Sequence, residues 1–310
     1  MRKGDHLDYT TFTTGILNCV KKQLGEEVEI RLQKIPKNNG VFLDGLAIMG
    51  EGAKLEPVIC LDSYYQEFRD GKTMEELGQS LAEEWKANRV VKMGGVDNFA
   101  DFQKAIPHIC YQLINLEKNR ALLETMPHRE FLDLALVYYY RTEYPLHSAH
   151  LMIRSEHIER WGISEEVLHE TAEKNTRKVL PCHFMSIGQV IAGISGDEEV
   201  ERMAENCRSD EGMYVLTNEE KYLGAVCIVY PGVLKRIADT FCGSFFILPS
   251  SIHECIIVPE LEEDYEKELQ DLVCEVNRVY VSEEEVLSDS VYYYEREKER
   301  LWWGAENVAL

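Results

Sequence analysis

Hydrophobic spacing along the first ninety residues changes period several times, and each change marks an element. Phe12, Ile16, Cys19, Val20 and Gln23 recur at helical intervals, with Gly25 where a left-handed cap would stop the chain, so residues 8–24 read as an opening helix. Val28, Ile30 and Leu32 then alternate with Glu29, Arg31 and Gln33. Turn chemistry follows in Pro36-Lys37-Asn38-Asn39-Gly40, and Val41 to Met49 resumes as a strand, which predicts a hairpin. Pro57 to Leu61 reads as a third strand. Thr73-Met74-Glu75-Glu76 has the form of a capping box and opens a helix with Leu77, Leu81 and Trp85 on one face. The pattern predicts a small N-terminal α-β-β-β-α unit.

Paired glycines in Lys92-Met93-Gly94-Gly95-Val96-Asp97-Asn98 punctuate the chain and place a boundary there, with an α+β unit over 1–95 and a larger mixed region over 96–310. In that region Ile109 to Leu116 and Phe131 to Arg141 read as strands. The second alternates Leu132, Leu134, Leu136, Tyr138 and Tyr140 against Asp133, Ala135, Val137, Tyr139 and Arg141, as in a sheet with one face better covered than the other. Ser148 to Ile153 suggests another strand. A helix capped at Ser164 carries Val167, Leu168, Thr171, Ala172 and Asn175. Met213 to Leu216 and Leu223 to Tyr230 flank Asn218-Glu219-Glu220-Lys221 as a second hairpin, and Val233 to Thr240 reads as a helix. Phe245 to Val258 reads as one long strand leading into a helix striped by Leu261, Tyr265, Leu269, Leu272, Val273 and Val276. Strands and helices mix without regular βαβ alternation. The expected class is α+β, with mixed, mainly antiparallel sheets and packed helices.

Charge narrows the partners. The formal net charge is −22, and residues 260–300 hold 15 Asp/Glu against 5 Lys/Arg, so a nonspecific grip on nucleic acid or anionic lipid would work against long-range repulsion. Nine cysteines stand singly, without a Cys-x-x-Cys pair, several of them in apolar runs where a free thiol acts as a small hydrophobe. No segment reaches the ~20 apolar residues of a spanning helix, and the start lacks the apolar core of a secretory leader. The expected location is the cytoplasm.

The candidate chemistry is concentrated in Ser250-Ser251-Ile252-His253-Glu254-Cys255, where hydroxyls, an imidazole and a carboxylate interrupt an apolar β-like run. On a strand, Ser251, His253 and Cys255 would share one face, a geometry that permits a thiol–imidazole dyad without demanding one, with Ser250 and Glu254 on the other face. Ser250, Ser251, His253 and Glu254 equally suit a polar binding pocket. His147, His150 and His157 are the candidate metal ligands, although an i, i+3 pair converges only on a helix or loop. Tyr138-Tyr139-Tyr140, Tyr292-Tyr293-Tyr294 and Trp302-Trp303 suit a partner surface or a homo-oligomer contact, or alternatively the core. There is no Gly-rich phosphate loop, dinucleotide fingerprint, His-Glu-x-x-His motif or cysteine-rich zinc module, and no cofactor is expected.

Four segments carry a family resemblance: Pro127 to Ala135, Met213 to Glu219, Ile247 to Glu254, and Glu275 to Arg278. In them the chain resembles domain of unknown function family 5688, found largely in gut-dwelling Firmicutes. The resemblance implies a bacterial, cytoplasmic protein and brings no catalytic residues with it. The expected function is non-catalytic binding of an unknown protein or small molecule. A hydrolase using the Ser250–Cys255 segment is the alternative.

Overall fold

A computed structural model describes residues 3–25, 28–49, 58–90, 98–141, 150–195, 212–260, 266–303 and 308–309. The chain divides into two compact units, Met1–Gly94 and Gly95–Leu310.

In the first unit the helix Lys3–Leu24 precedes the antiparallel hairpin β1 (Glu29–Pro36) and β2 (Phe42–Met49). Asn39 and Gly40, both at positive φ, make the turn between them, consistent with the turn residues read there. β3 (Val58–Cys60) adds antiparallel to β2, giving the order β1-β2-β3. Helices Asp62–Arg69 and Met74–Val90 close the unit. The capping box at the last helix forms as read: the Thr73 N–H donates to Glu76 Oε2 (2.9 Å) and the Glu76 N–H to Thr73 Oγ1 (3.3 Å). Phe12, Ile16, Val20, Leu46, Ile48, Leu61, Leu77, Leu81 and Trp85 make one core, and Trp85 Nε1–H donates to the Ile48 carbonyl (3.1 Å). The predicted alternation holds at Ile30 and fails at Leu32, which is exposed on β1, an edge strand. At Gly78 a Cβ would lie 2.6 Å from the Cys19 Cβ, so the first and last helices approach at a point where only glycine fits.

The second unit is built on two antiparallel sheets. In the smaller, β6 (Leu134–Arg141) is central: β4 (Ile109–Asn115) pairs along one edge, while β5 (His128–Phe131) and β7 (His150–Met152) share the other end to end. The expected Phe131–Arg141 strand is therefore corrected. Leu132, at φ 57°, and Asp133 turn the chain from β5 into β6. The single covered face is corrected as well, since every residue from Leu134 to Tyr140 is buried. Leu134, Leu136, Tyr138 and Tyr140 enter the core shared with the larger sheet, whereas Ala135 and Val137 pack on Ile114, Leu123 and Met126.

The larger sheet runs β14-β13-β12-β10-β11-β9-β8, from Val308–Ala309, Arg300–Trp303, Tyr292–Glu295, Phe245–Leu248, Cys255–Pro259, Tyr214–Asn218 and Cys182–Ser186 respectively. The long strand expected over 245–258 is instead the hairpin β10–β11, with residues 249–254 as its loop. Phe245 and Ile247 face the shared core, and Phe246 and Leu248 face the helix Glu266–Val279. That helix buries Leu269, Val273 and Asn277 and leaves Leu272 exposed; Leu261 and Tyr265 of the expected stripe lie outside the described residues.

The expected second hairpin is also corrected, because Gly224–Val229 is a 3-10 helix. Both edges of β9 are occupied, by β8 and β11, so the following apolar run has no edge to join. Lys221 and Leu223, at φ 53° and 54°, turn it into the core, where Gly224 to Ile228 are all buried. The helix Glu165–Val179 starts as read, with the Val167 N–H donating to the Ser164 hydroxyl (3.3 Å), but Leu168, Ala172 and Thr176 are its buried face and Val167 is exposed. Among the described residues no helix is long and apolar enough to cross a membrane.

Candidate functional site

The Ser250–Cys255 segment is a loop held by main-chain bonds rather than a strand with two faces. The Leu287 N–H donates to the Ser250 carbonyl (3.0 Å), the Ile252 N–H to the Glu285 carbonyl (2.9 Å) and the Ala225 N–H to the Ile252 carbonyl (3.3 Å). The Ser251 hydroxyl accepts from the His253 N–H (3.0 Å), a local turn bond. The Thr217 hydroxyl donates to the His253 carbonyl (2.7 Å), and the Gly224 backbone packs so closely that a Cβ there would lie 2.6 Å from that oxygen.

The expected thiol–imidazole dyad is not assembled. Cys255 is fully buried, its Sγ–H faces the Ala225 carbonyl (3.9 Å), and burial pushes its pKa far up, the opposite of what a nucleophile requires. His253 is engaged at both ring nitrogens. Nδ1 accepts from the Leu223 N–H (3.2 Å), so the proton sits on Nε2, which donates to Glu285 Oε1 (3.3 Å). The base position of a hydrolase is thus taken by a backbone amide. Glu254 is half-buried, and desolvation raises its pKa against the lowering effect of His253. Of the four residues read as a binding pocket, Ser251 and His253 contact each other only through the turn.

Of the histidines read as metal ligands, His150 and His157 pack against different aromatic rings. His147 lies outside the described residues. The His150 ring packs between Tyr139 (centroids 4.5 Å) and Tyr222 (5.2 Å), and Tyr222 in turn packs on His253 (5.1 Å). His157 accepts from the Arg154 N–H at Nδ1 (2.9 Å) at the start of the helix Ser155–Trp161. Among the described residues no group of three His, Cys, Asp or Glu could hold a metal ion. Of the two readings of the aromatic runs, the core describes most of them: Tyr138, Tyr139, Tyr140, Tyr292 and Tyr294 are buried, and Tyr293, Trp302 and Trp303 are half-buried.

A cleft elsewhere in the second unit brings together residues that sequence reasoning left apart. It has a volume of about 410 Å³, within the ~300–1,000 Å³ of small-molecule sites. β4 contributes Tyr111, β5 Arg129 and Phe131, the helix Glu165–Val179 His169 and Glu173, and the wall opposite holds Ile228, Leu234 and Leu301. His169 stacks on Tyr111 (6.2 Å, 15°), and its Nδ1 bonds the Tyr138 hydroxyl (3.1 Å). Arg129 lies beside the same hydroxyl, and its charge acts on it. Burial, then the Arg129 charge, lowers the His169 pKa, which keeps the ring neutral at neutral pH. Two signals in the sequence bore on this site. The i, i+4 spacing of His169 and Glu173 puts them on one helix face, and Arg129 lies in one of the segments that carried the family resemblance.

No curated protein and no solved structure matches this chain. The model of a family of unknown function, DUF5688, matches residues 9–296, and the chain belongs to that family.

Proposed function

We propose that this is a cytoplasmic bacterial binding protein without catalytic activity, whose ligand seat is the cleft lined by Tyr111, His169 and Leu234. The observation that carries the reading is a concavity with an apolar wall and a few convergent polar groups, the usual composition of a small-molecule site. Two further observations support binding over hydrolysis: Cys255 is buried as a neutral thiol, and His253 accepts from a backbone amide. A small molecule is favoured over a protein partner because the tyrosine triplets, the best sequence candidates for an interface, are largely core.

The test is a fragment screen by ligand-observed NMR on the full chain, repeated on Leu234→Trp, which fills the cleft from its half-buried wall. Fragments that bind the parent and lose at least about tenfold in affinity in the variant support the seat. Fragments that bind both proteins equally would move the site elsewhere and sink the reading.

A further inference from the structure

We infer that the cleft selects by charge and takes ligands that carry a protonated amine on an apolar body, with Glu173 as the counter-ion. This deepens the proposed function and rests on it.

The charged groups lining the cleft are Arg129, Glu130, Glu173 and Glu299. Arg129 pairs with Glu166, and Glu299 accepts from Lys235, so each is compensated by the protein itself. Glu130 is exposed. Glu173 differs from all of them. It is half-buried, and among the described residues its carboxylate makes no ion pair and no hydrogen bond. Arg177, one turn further along the helix, directs Nε to the Glu173 main-chain carbonyl (3.3 Å) instead of the carboxylate. The Glu173 charge acts on the Tyr111 hydroxyl, where the Arg177 charge opposes it, and on the His169 ring, and Glu173 lines the cleft beside both. His169 is held neutral and supplies no balancing charge.

A half-buried carboxylate without a cation beside an apolar wall is an incomplete ion pair, and a ligand ammonium completes it. An anionic ligand faces the reverse situation. It meets Glu173 at close range inside a chain of net charge −22, and it gains Arg129 only by displacing Glu166. Ile228, Leu234 and Leu301 then cover the apolar body of the ligand.

Three probes of nearly equal size separate the terms: 2-phenylethylamine, 2-phenylethanol and phenylacetate, titrated into the full chain by NMR at low and high salt. The amine is expected to bind about tenfold more tightly than the carboxylate, with an affinity that falls as salt rises. Glu173→Gln should bring the amine to within about twofold of the alcohol and leave the alcohol unchanged. Because the whole chain is acidic, retention of the amine preference in Glu173→Gln would show general attraction and overturn the inference. A carboxylate that binds as well as the amine, or no amine binding at ~10 mM, would overturn it too. Leu234→Trp separates the two levels: if it abolishes binding of all three probes while the charge preference fails, the cleft stands and the counter-ion falls. If it changes none of them, the cleft itself falls. If Glu173→Gln is unstable, Glu173→Ala reads the same preference, since salt also screens the general attraction of a chain of net charge −22.

Discussion

Desolvation of His150 between the rings of Tyr139 and Tyr222, with the Arg141 charge acting in the same direction and Glu220 against it, lowers its pKa from 6.5 to about 4. Above about pH 6.5 the ring is neutral in both the folded and the unfolded chain. Below it the unfolded chain takes up a proton that the folded chain refuses, so stability is lost as pH falls toward 4. For a partly exposed ring the loss is on the order of 2 kcal/mol. His150→Phe keeps an aromatic ring in the stack and removes the titration. In urea unfolding at pH 7.5 and 4.5 the parent should lose about 2 kcal/mol more than this variant, and the His150 Cε1–H resonance should not titrate until well below pH 5.5. Equal losses would remove His150 as the cause. The role of this histidine was not legible in the sequence, because its depressed pKa depends on Tyr139 from β6 and Tyr222 from a distant turn. His253 was legible as unusual but not as occupied: its Nδ1 partner is the Leu223 amide, thirty residues away, and no spacing rule anticipates a backbone donor at that distance. The cleft residues were missed for the same reason. Tyr111, His169 and Leu234 come from separate elements and share no local motif.

At the scale of elements, the β5–β6 turn is tied to residues 288–292 through a single carboxylate. Asp133 accepts from the Ser288 hydroxyl (2.6 Å), the Ser290 hydroxyl (3.2 Å) and the Tyr292 hydroxyl, while the Ser290 N–H donates to the Ser288 oxygen (2.9 Å). Nearby, the Asn115 side chain donates to the Leu287 carbonyl (2.9 Å), and because Asn115 pairs with Leu134, next to Asp133, two neighbouring side chains at one end of the smaller sheet grip the same segment. Ser288 and Tyr292 are fully buried, and loss of Asp133 takes away the carboxylate that accepts both hydroxyl protons. Tyr292→Phe removes one donor and should cost about 1–2 kcal/mol, whereas Asp133→Ala leaves three hydroxyls unsatisfied and should cost about 3 kcal/mol or more, both read from urea unfolding. A neutral Asp133→Ala would show that the network adds nothing to stability. Turns with local chemistry were legible at this scale, as at Pro36–Gly40 and Ser164. Turns made by residues with no such signature were not: Leu132 adopts φ 57° and Leu223 φ 54°, and an apolar residue at positive φ looks like more strand. The run from 223 to 230 shows a second limit, since whether it could pair depended on both edges of β9 being filled by segments far away in sequence.

For the whole molecule, the two units Met1–Gly94 and Gly95–Leu310 each have a core of their own. The elements of the first unit were legible for a physical reason: short-range periodicity completes it, and its strands β1, β2 and β3 pair in sequence order. The larger sheet pairs β10 with β12 and β9 with β11, and such non-neighbouring contacts leave no local trace. The first unit should therefore fold without the second. Trp85 is the only tryptophan before residue 95, and in the full chain it is 4% exposed with its indole N–H on the Ile48 carbonyl. In a fragment of residues 1–94 its emission should be blue-shifted at room temperature and should move red in one cooperative step with urea. A folding free energy of a few kcal/mol is expected for a core of this size. Gly78→Leu, which forces the two long helices apart at Cys19, should abolish that step in the fragment. Red emission from the parent fragment without denaturant would mean instead that the core around Trp85 depends on residues beyond 94, and that the glycine pair separates contact clusters rather than folding units.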